Sequence, residues 1–238
     1  MKNLFYLILI FTIFSCGKIS PKGKIESKDL KVEDFTNLNL QGKFRAFYVK
    51  SDSSFVNVET YKNIADNLKI SVKDKTLNIE EGSATNSIDF YNITIYSKYD
   101  LEKLSLSDSV EMNISSEIKT DNFKLNLKKN AKFIGAVNSR KTDLEMTGKS
   151  RANFLGSTKK ANIKIADTAS LIAPFWQIGD LMIDSKNGNY AEVNVKDSIK
   201  GNINNSAKFV YYNDPIRAFK IEKGTTVENK KLDLRLRN

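Results

Sequence analysis

"LEMTGKSRANF" (Leu144–Phe154) and "IKIADTASL" (Ile163–Leu171) share one pattern: an alternating apolar run, a polar kink, and a return to apolar residues. Five more segments repeat it: "LSLSDSVEM" (104–112), "LNLKKNAKF" (125–133), "LMIDSKNGNYAEV" (181–193), "GNINNSAKFV" (201–210) and "FKIEKGTTV" (219–227). Aligning Leu106, Leu127, Met146, Ile165, Ile183, Ile203 and Ile221 gives steps of 21, 19, 19, 18, 20 and 18 residues. A period near 20 belongs to leucine-rich repeats or β-solenoids. The Leu-x-x-Leu-x-Leu signature is missing and no segment has a helical period. Alternation such as Phe123, Leu125, Leu127 or Ile163, Ile165 is strand periodicity instead. The chain therefore reads as all-β, a parallel β-solenoid with coils of about 18–21 residues. Each coil stacks on the next at about 4.8 Å around one continuous apolar core. Asn130, Gly148, Asp167, Asn205 and Gly224 are expected at equivalent corners, because these residue types tolerate left-handed backbone.

Upstream, "FTNLNLQGKFRAFYVK" (35–50), "SFVNVET" (54–60), "LKISVKDKTLNIE" (68–80) and "YNITIYS" (91–97) alternate like further, less regular coil strands, with turns at Gln41-Gly42 and Lys73-Asp74-Lys75. At the other end "KLDLRLRN" alternates Leu232, Leu234 and Leu236 with charged residues. It suits a closing strand that blunts the open sheet edge.

The first 15 residues, "MKNLFYLILIFTIFS", have the basic start, apolar run and small final residue of a secretory signal. The apolar run is too short for a spanning helix, which needs roughly 20 residues. Directly after it stands Cys16, the only cysteine of the chain. Ile13-Phe14-Ser15-Cys16 has the form of a bacterial lipobox, so Cys16 is expected to carry lipid, and the two or three acyl chains involved suffice for stable anchoring. The expected organisation is a signal peptide over 1–15, a lipidated flexible tether over 16–31, polar and without periodicity, and a solenoid domain over 32–238. With the thiol consumed and no histidine in the sequence, disulfides, Cys or Ser-His-Asp nucleophiles and His-ligated metal centres are excluded. No metal or cofactor is expected.

The openings "DFTNLNLQGKFRAFYVKSD" (34–52) and "NIADNLKISVKDKTLNIEEG" (63–82), the repeated kinks, and "VYYNDP" (210–215) occur in an order that resembles the family described as putative auto-transporter adhesin, head GIN domain. The similarity covers about Phe35 to Glu228. That resemblance implies a right-handed parallel β-helix from a bacterial envelope protein, often a lipoprotein, without established catalytic residues. The kinks depart from the family's Ser-Gly-Ser-Gly: Asp108, Asn130, Asp167 and Asn205 stand there instead.

Charge is concentrated. The chain carries 38 Lys plus Arg against 28 Asp plus Glu, and residues 119–164 alone hold 12 basic residues against 3 acids. Arg140-Lys141 and Lys159-Lys160 lie one coil apart and form a candidate anion-binding belt for an acidic polysaccharide or another anionic envelope polymer. An exposed solenoid face dressed with lysine gives the same pattern without a ligand. Trp176, Tyr211 and Tyr212 are candidates for stacking on sugar rings, with burial as the competing reading. The carboxylates make no catalytic pair: Asp108 and Asp167 fall three coils apart, and Asp180, Asp184 and Asp197 scatter along the chain. The function expected is a non-catalytic, membrane-anchored envelope lipoprotein, adhesin-like or structural, with an acidic-polysaccharide-binding protein or a β-helical polysaccharide lyase or hydrolase as the alternative. Export argues against nucleic acid as a partner. The outer membrane is the expected site, and Gly17 to Ile25, which contains no acid, leaves open which side the domain faces. Oligomeric state is left open as well.

Overall fold

The computed structural model describes residues 17–232. In chain order its elements are β1 (Ile25–Lys31), β2 (Asn37–Gly42), β3 (Arg45–Lys50), β4 (Phe55–Tyr61), α1 (Lys62–Ala65), β5 (Leu68–Lys73), β6 (Thr76–Glu81), β7 (Tyr91–Ser97), β8 (Lys103–Asp108), β9 (Glu111–Ile114), β10 (Ile118–Leu127), β11 (Lys132–Met146), β12 (Arg151–Ile165), β13 (Ser170–Ser185), β14 (Tyr190–Ile203), β15 (Lys208–Tyr212), β16 (Ile216–Ile221) and β17 (Thr226–Lys230). Cys16, Leu234 and Leu236 lie outside the described residues, and with them the lipidation site and most of the closing strand expected at the C-terminus.

Strand β12 shows how the sequence makes a coil. Ala152, Phe154, Ala161, Ile163 and Ile165 are buried, while Arg151, Asn153, Asn162 and Lys164 are exposed. The alternation breaks at Lys159-Lys160, two exposed residues in a row, and there the strand bends so that its halves serve two different faces. β10, β12 and β13 pair in parallel with their neighbours on both sides in one continuous β-solenoid. Fully burying a Leu, Ile or Phe contributes roughly 1.5–3 kcal/mol, and inward columns of them run the length of the stack. One column is Leu77, Leu38, Leu104, Leu125, Leu144, Ile163 and Ile183, all buried and in register.

The next column corrects the alignment made from sequence. It runs Leu106, Leu127, Met146, Ile165 and then Ser185, not Ile183. Ser185 is fully buried and donates its hydroxyl to Asn189 Oδ1 at 2.8 Å. A hydrogen-bonded serine thus occupies a slot where the pattern leads one to expect an aliphatic residue.

Left-handed corners also form a column: Asp108, Lys129, Gly148, Asp167, Asn187 and Asn205 have φ from 49° to 73° and follow one another in successive coils. The corner expected at Asn130 sits one residue earlier, on Lys129, at a cost of roughly 1–2 kcal/mol for a residue with a Cβ. Interstrand bonding passes straight through these corners: the Asn130, Lys149 and Thr168 amides donate to the carbonyls of Asp108, Lys129 and Gly148 at 2.7–3.0 Å.

The N-terminal strands depart from the expected scheme. The coil β2–β3 is slotted between β6–β7 and β8–β9, so order along the stack differs from order along the chain. Beyond β6 and β7, strands β4 and β5 pair antiparallel to the stack, with Asp74 and Lys75 both left-handed in the β5–β6 turn. β1 adds antiparallel to β4. The last seven residues of the stretch read as a flexible tether are therefore strand. Except for Leu30, which is half-buried against the core, their side chains are exposed on both faces, which removes the alternation that marks a strand in sequence. These antiparallel strands cap the first coil, whose edge would otherwise offer unpaired backbone groups.

Candidate functional site

Where the long strands bend from one face to the other, an open groove enclosing about 940 Å³ runs across successive coils. Ser157, Lys159 and Lys160 of β12, Gln177 and Asp180 of β13, and Asn194, Lys196 and Asp197 of β14 line it. Gly179 lets the coils close up here, since a Cβ at that position would lie 2.6 Å from the Lys159 carbonyl and 3.2 Å from Asp197 Oδ2. Under the groove a hydroxyl cluster replaces apolar core: Ser139 and Thr142 are 2.8 Å apart, and Ser139 donates to Thr158 at 2.9 Å.

A polar ladder runs along the bend. Ser157 donates to Asn138 Oδ1 at 2.8 Å, Asn194 donates to the Pro174 carbonyl at 3.0 Å, and Asn213 donates to Asn194 Oδ1 at 2.5 Å. Sequence reading missed Asn138, Gln177, Asn194 and Asn213. The available signal was amide side chains recurring at nearly the coil period just after the first apolar run of each coil.

The four belt residues separate into two kinds. The register places Lys141 beside Lys160, as the one-coil spacing suggested, and Lys160 beside Asp180. Arg140 faces Asp121 at 3.9 Å, and Lys141 pairs with Asp143 at 3.0 Å. Burial raises the Asp143 pKa, but hydrogen bonds from Asn162 and Lys141 and the charges of Lys141 and Lys124 outweigh it and hold the carboxyl below its ordinary value. Lys159 and Lys160, both exposed, have no acid within ion-pair distance among the described residues. They are the belt cations that border the groove.

The aromatic candidates are not available to stack on sugars. Trp176 is fully buried and stacks on Phe154 at 4.6 Å between ring centroids. Tyr211 is buried against Phe209 and Phe219, its hydroxyl accepting from Arg217 at 3.2 Å. Tyr212 is 8% exposed and donates to Glu192, which also accepts from Tyr190 at 2.9 Å. Burial and the Glu192 carboxylate push both phenols up, Tyr190 to about 12. Large aromatics at inward register positions fill core, and that excludes them as platforms.

Carboxylates behave as expected at the corners: Lys129 and Gly148 stand between Asp108 and Asp167 in the column. In contrast, Asp180 and Asp197, scattered in sequence, share the groove, with Ser198 donating to Asp180 at 2.6 Å. Among the described residues no three His, Cys, Asp or Glu side chains gather as a metal site.

Solved structures with this architecture are known. A putative adhesin from Bacteroides fragilis NCTC 9343 superposes with a TM-score of 0.82 at 19% identity, covering 89% of this chain and 100% of that one. A putative lipid binding protein from Parabacteroides distasonis ATCC 8503 gives 0.74 at 18%, covering 90% and 100%. A putative adhesin from Parabacteroides merdae ATCC 43184 gives 0.73 at 18%, covering 90% and 99%. At these identities the likeness concerns the fold. A search of curated proteins found no match. The family model described as putative auto-transporter adhesin, head GIN domain, matches residues 34–215, from just before the β2–β3 coil to just past β15, and the chain belongs to that family.

Proposed function

We propose that the protein is an envelope lipoprotein, anchored through acylated Cys16 and held at the outer membrane, that works without catalysis as an adhesin-like module. Its binding surface is the groove at the bend, and its partner is an anionic glycan or another anionic envelope component. The observation that carries this reading is the division of the belt: Arg140 and Lys141 each have an acid within 4.0 Å, while Lys159 and Lys160 border the groove with no acid that close among the described residues, Asp180 and Asp197 lining the same groove farther off. Amide and hydroxyl groups of the ladder supply hydrogen bonds to sugar hydroxyls, and the stacked coils hold every donor in place before binding, which keeps the ordering cost low.

Titration of a uronic-acid polymer into the protein tests this by calorimetry. Lys159→Glu with Lys160→Glu is expected to weaken binding at least tenfold. Arg140→Glu with Lys141→Glu is expected to have a smaller effect. Binding to the parent should fall as salt rises, since exposed charges are screened over about 8–10 Å at ordinary ionic strength. Equal losses from both pairs, or none from the first, would remove the groove from the account. Shortening of the polymer during titration would favour a hydrolase or lyase acting through Asp180 and Asp197.

A further inference from the structure

The stretch between Cys16 and β1 is not loose. Ile19 forms an isolated parallel bridge with Thr85: its amide donates to the Ala84 carbonyl and its carbonyl accepts from the Asn86 amide, both at 2.9 Å. Its half-buried side chain packs against the core. Two asparagines hold the next residues. Asn63 of α1 donates to the Ser20 carbonyl and accepts from the Lys22 amide, each at 2.9 Å, and Asn86 donates to Ser20 Oγ at 2.5 Å. Thr85 is fully buried, its hydroxyl bonded to Glu81 at 3.1 Å. On its other side Lys43, from the turn after β2, reaches the Thr85 carbonyl at 3.4 Å. Ile19 therefore extends the stack outward from the first coil, at the capped end.

Covalent geometry converts this docking into a distance. Three peptide steps join Ile19 to Cys16 in the sequence, and an extended chain covers at most about 3.6 Å per residue, so a lipid on the cysteine has a leash of about 11 Å from Ile19. A free leader over 16–31 would reach about 50 Å. We propose that the capped end of the solenoid is seated on a phospholipid surface. Lys18, Lys22 and Lys24 face headgroup phosphates, in a stretch from Gly17 to Ile25 that holds no acid, and the stack rises away from the lipid. This rests on acylation of Cys16. From β6 to β16 the register counts eight coil steps, through β2, β8, β10, β11, β12, β13 and β14. At about 4.8 Å each, the far end stands roughly 38 Å higher.

Because Cys16 is the only native cysteine and carries the lipid, an introduced thiol can be labelled alone. Acylated full-length Ser87→Cys and Lys223→Cys proteins, each with a donor dye, are bound to phosphatidylethanolamine–phosphatidylglycerol vesicles containing an acceptor lipid. Strong energy transfer from position 87 and weak transfer from position 223 are expected. Adding Asn63→Ala and Asn86→Ala, which remove the side-chain clamps on Ser20 and Lys22, together with Ile19→Pro, which removes the amide hydrogen bond to Ala84 and the packed side chain, should lower transfer at 87 by at least half without changing the circular dichroism spectrum. Equal transfer from both positions, or no response to the triple change, would overturn the seating. Flotation and the mass of the N-terminal peptide score the anchor separately. A protein that floats but shows equal transfer overturns the seating alone, whereas one that is neither acylated nor floats overturns both.

Discussion

Replacing Trp176 by alanine separates a core aromatic from a ligand platform. The indole is fully buried and ends an aromatic series through the core. Phe154 stacks on it at 4.6 Å, Phe133 lies 4.8 Å from Phe154, and Phe123 lies 6.4–6.5 Å from both phenylalanines. Truncating a buried Trp costs about 3–5 kcal/mol. Part of that is returned, because Nε1–H of Trp176 has no hydrogen-bond partner among the described residues, and a buried unpaired donor costs about 1–3 kcal/mol. The net loss is about 2 kcal/mol, and for a domain of this size each kcal/mol moves the melting temperature by about 2–4 °C. Trp176→Ala should therefore melt roughly 4–8 °C below the parent by calorimetry. Trp176→Phe, which keeps the stack and removes the orphan N–H, should lose about 1 kcal/mol or less. A Trp176→Ala protein that melts within about 2 °C of the parent yet no longer binds glycan would refute the reasoning.

Other expectations follow from backbone and charge. Gly201 takes an inward register position with φ at 126°, and a Cβ there would lie 1.9 Å from the Ile183 carbonyl oxygen, so Gly201→Ala should cost at least about 3 kcal/mol in denaturant unfolding. Gly188, with φ at 76° and open space around it, should lose only about 1 kcal/mol on the same change, and equal losses would contradict the packing argument. Burial raises the Glu81 carboxyl above its ordinary range, against hydrogen bonds and charge from Thr85 and Lys43. The folded state then holds a proton that the unfolded state has released, so this residue's contribution to stability is present in acid and lost as pH rises through the raised pKa. Glu81→Gln should accordingly raise the melting temperature relative to the parent at neutral pH but not in acid, and a pH-independent difference would count against the burial assignment.

The coil stack was legible in sequence because each coil repeats the alternation with its own apolar residues, and Leu125, Leu144 and Ile163 need no long-range information to be recognised as inward. Ser185 escaped because a buried hydroxyl satisfied by Asn189 resembles a turn residue in one dimension. Stack order at the N-terminus was hidden for a different reason. Nothing local in "NLNLQG" says that its neighbours are β6 and β8, since parallel pairing joins segments tens of residues apart. β1 offered only Leu30 to the core, too little to show alternation. In the groove, Lys159 and Lys160 could be placed one coil from Arg140 and Lys141, yet which cations meet acids depends on side chains from adjacent coils, and period alone does not carry that. Trp176 stood out as the only tryptophan, but whether its register position faced inward depended on the irregular pairing between Asn153 and Leu155, where β12 and β13 shift.

The anchor is the point on which the account turns, and the N-terminal tryptic peptide of the protein purified from membranes decides it. The expected peptide begins at Cys16 and ends at Lys18, with residues 1–15 gone and the mass of a diacylglyceryl thioether on the cysteine. A peptide with an unmodified thiol, or one that begins at another residue, would contradict it.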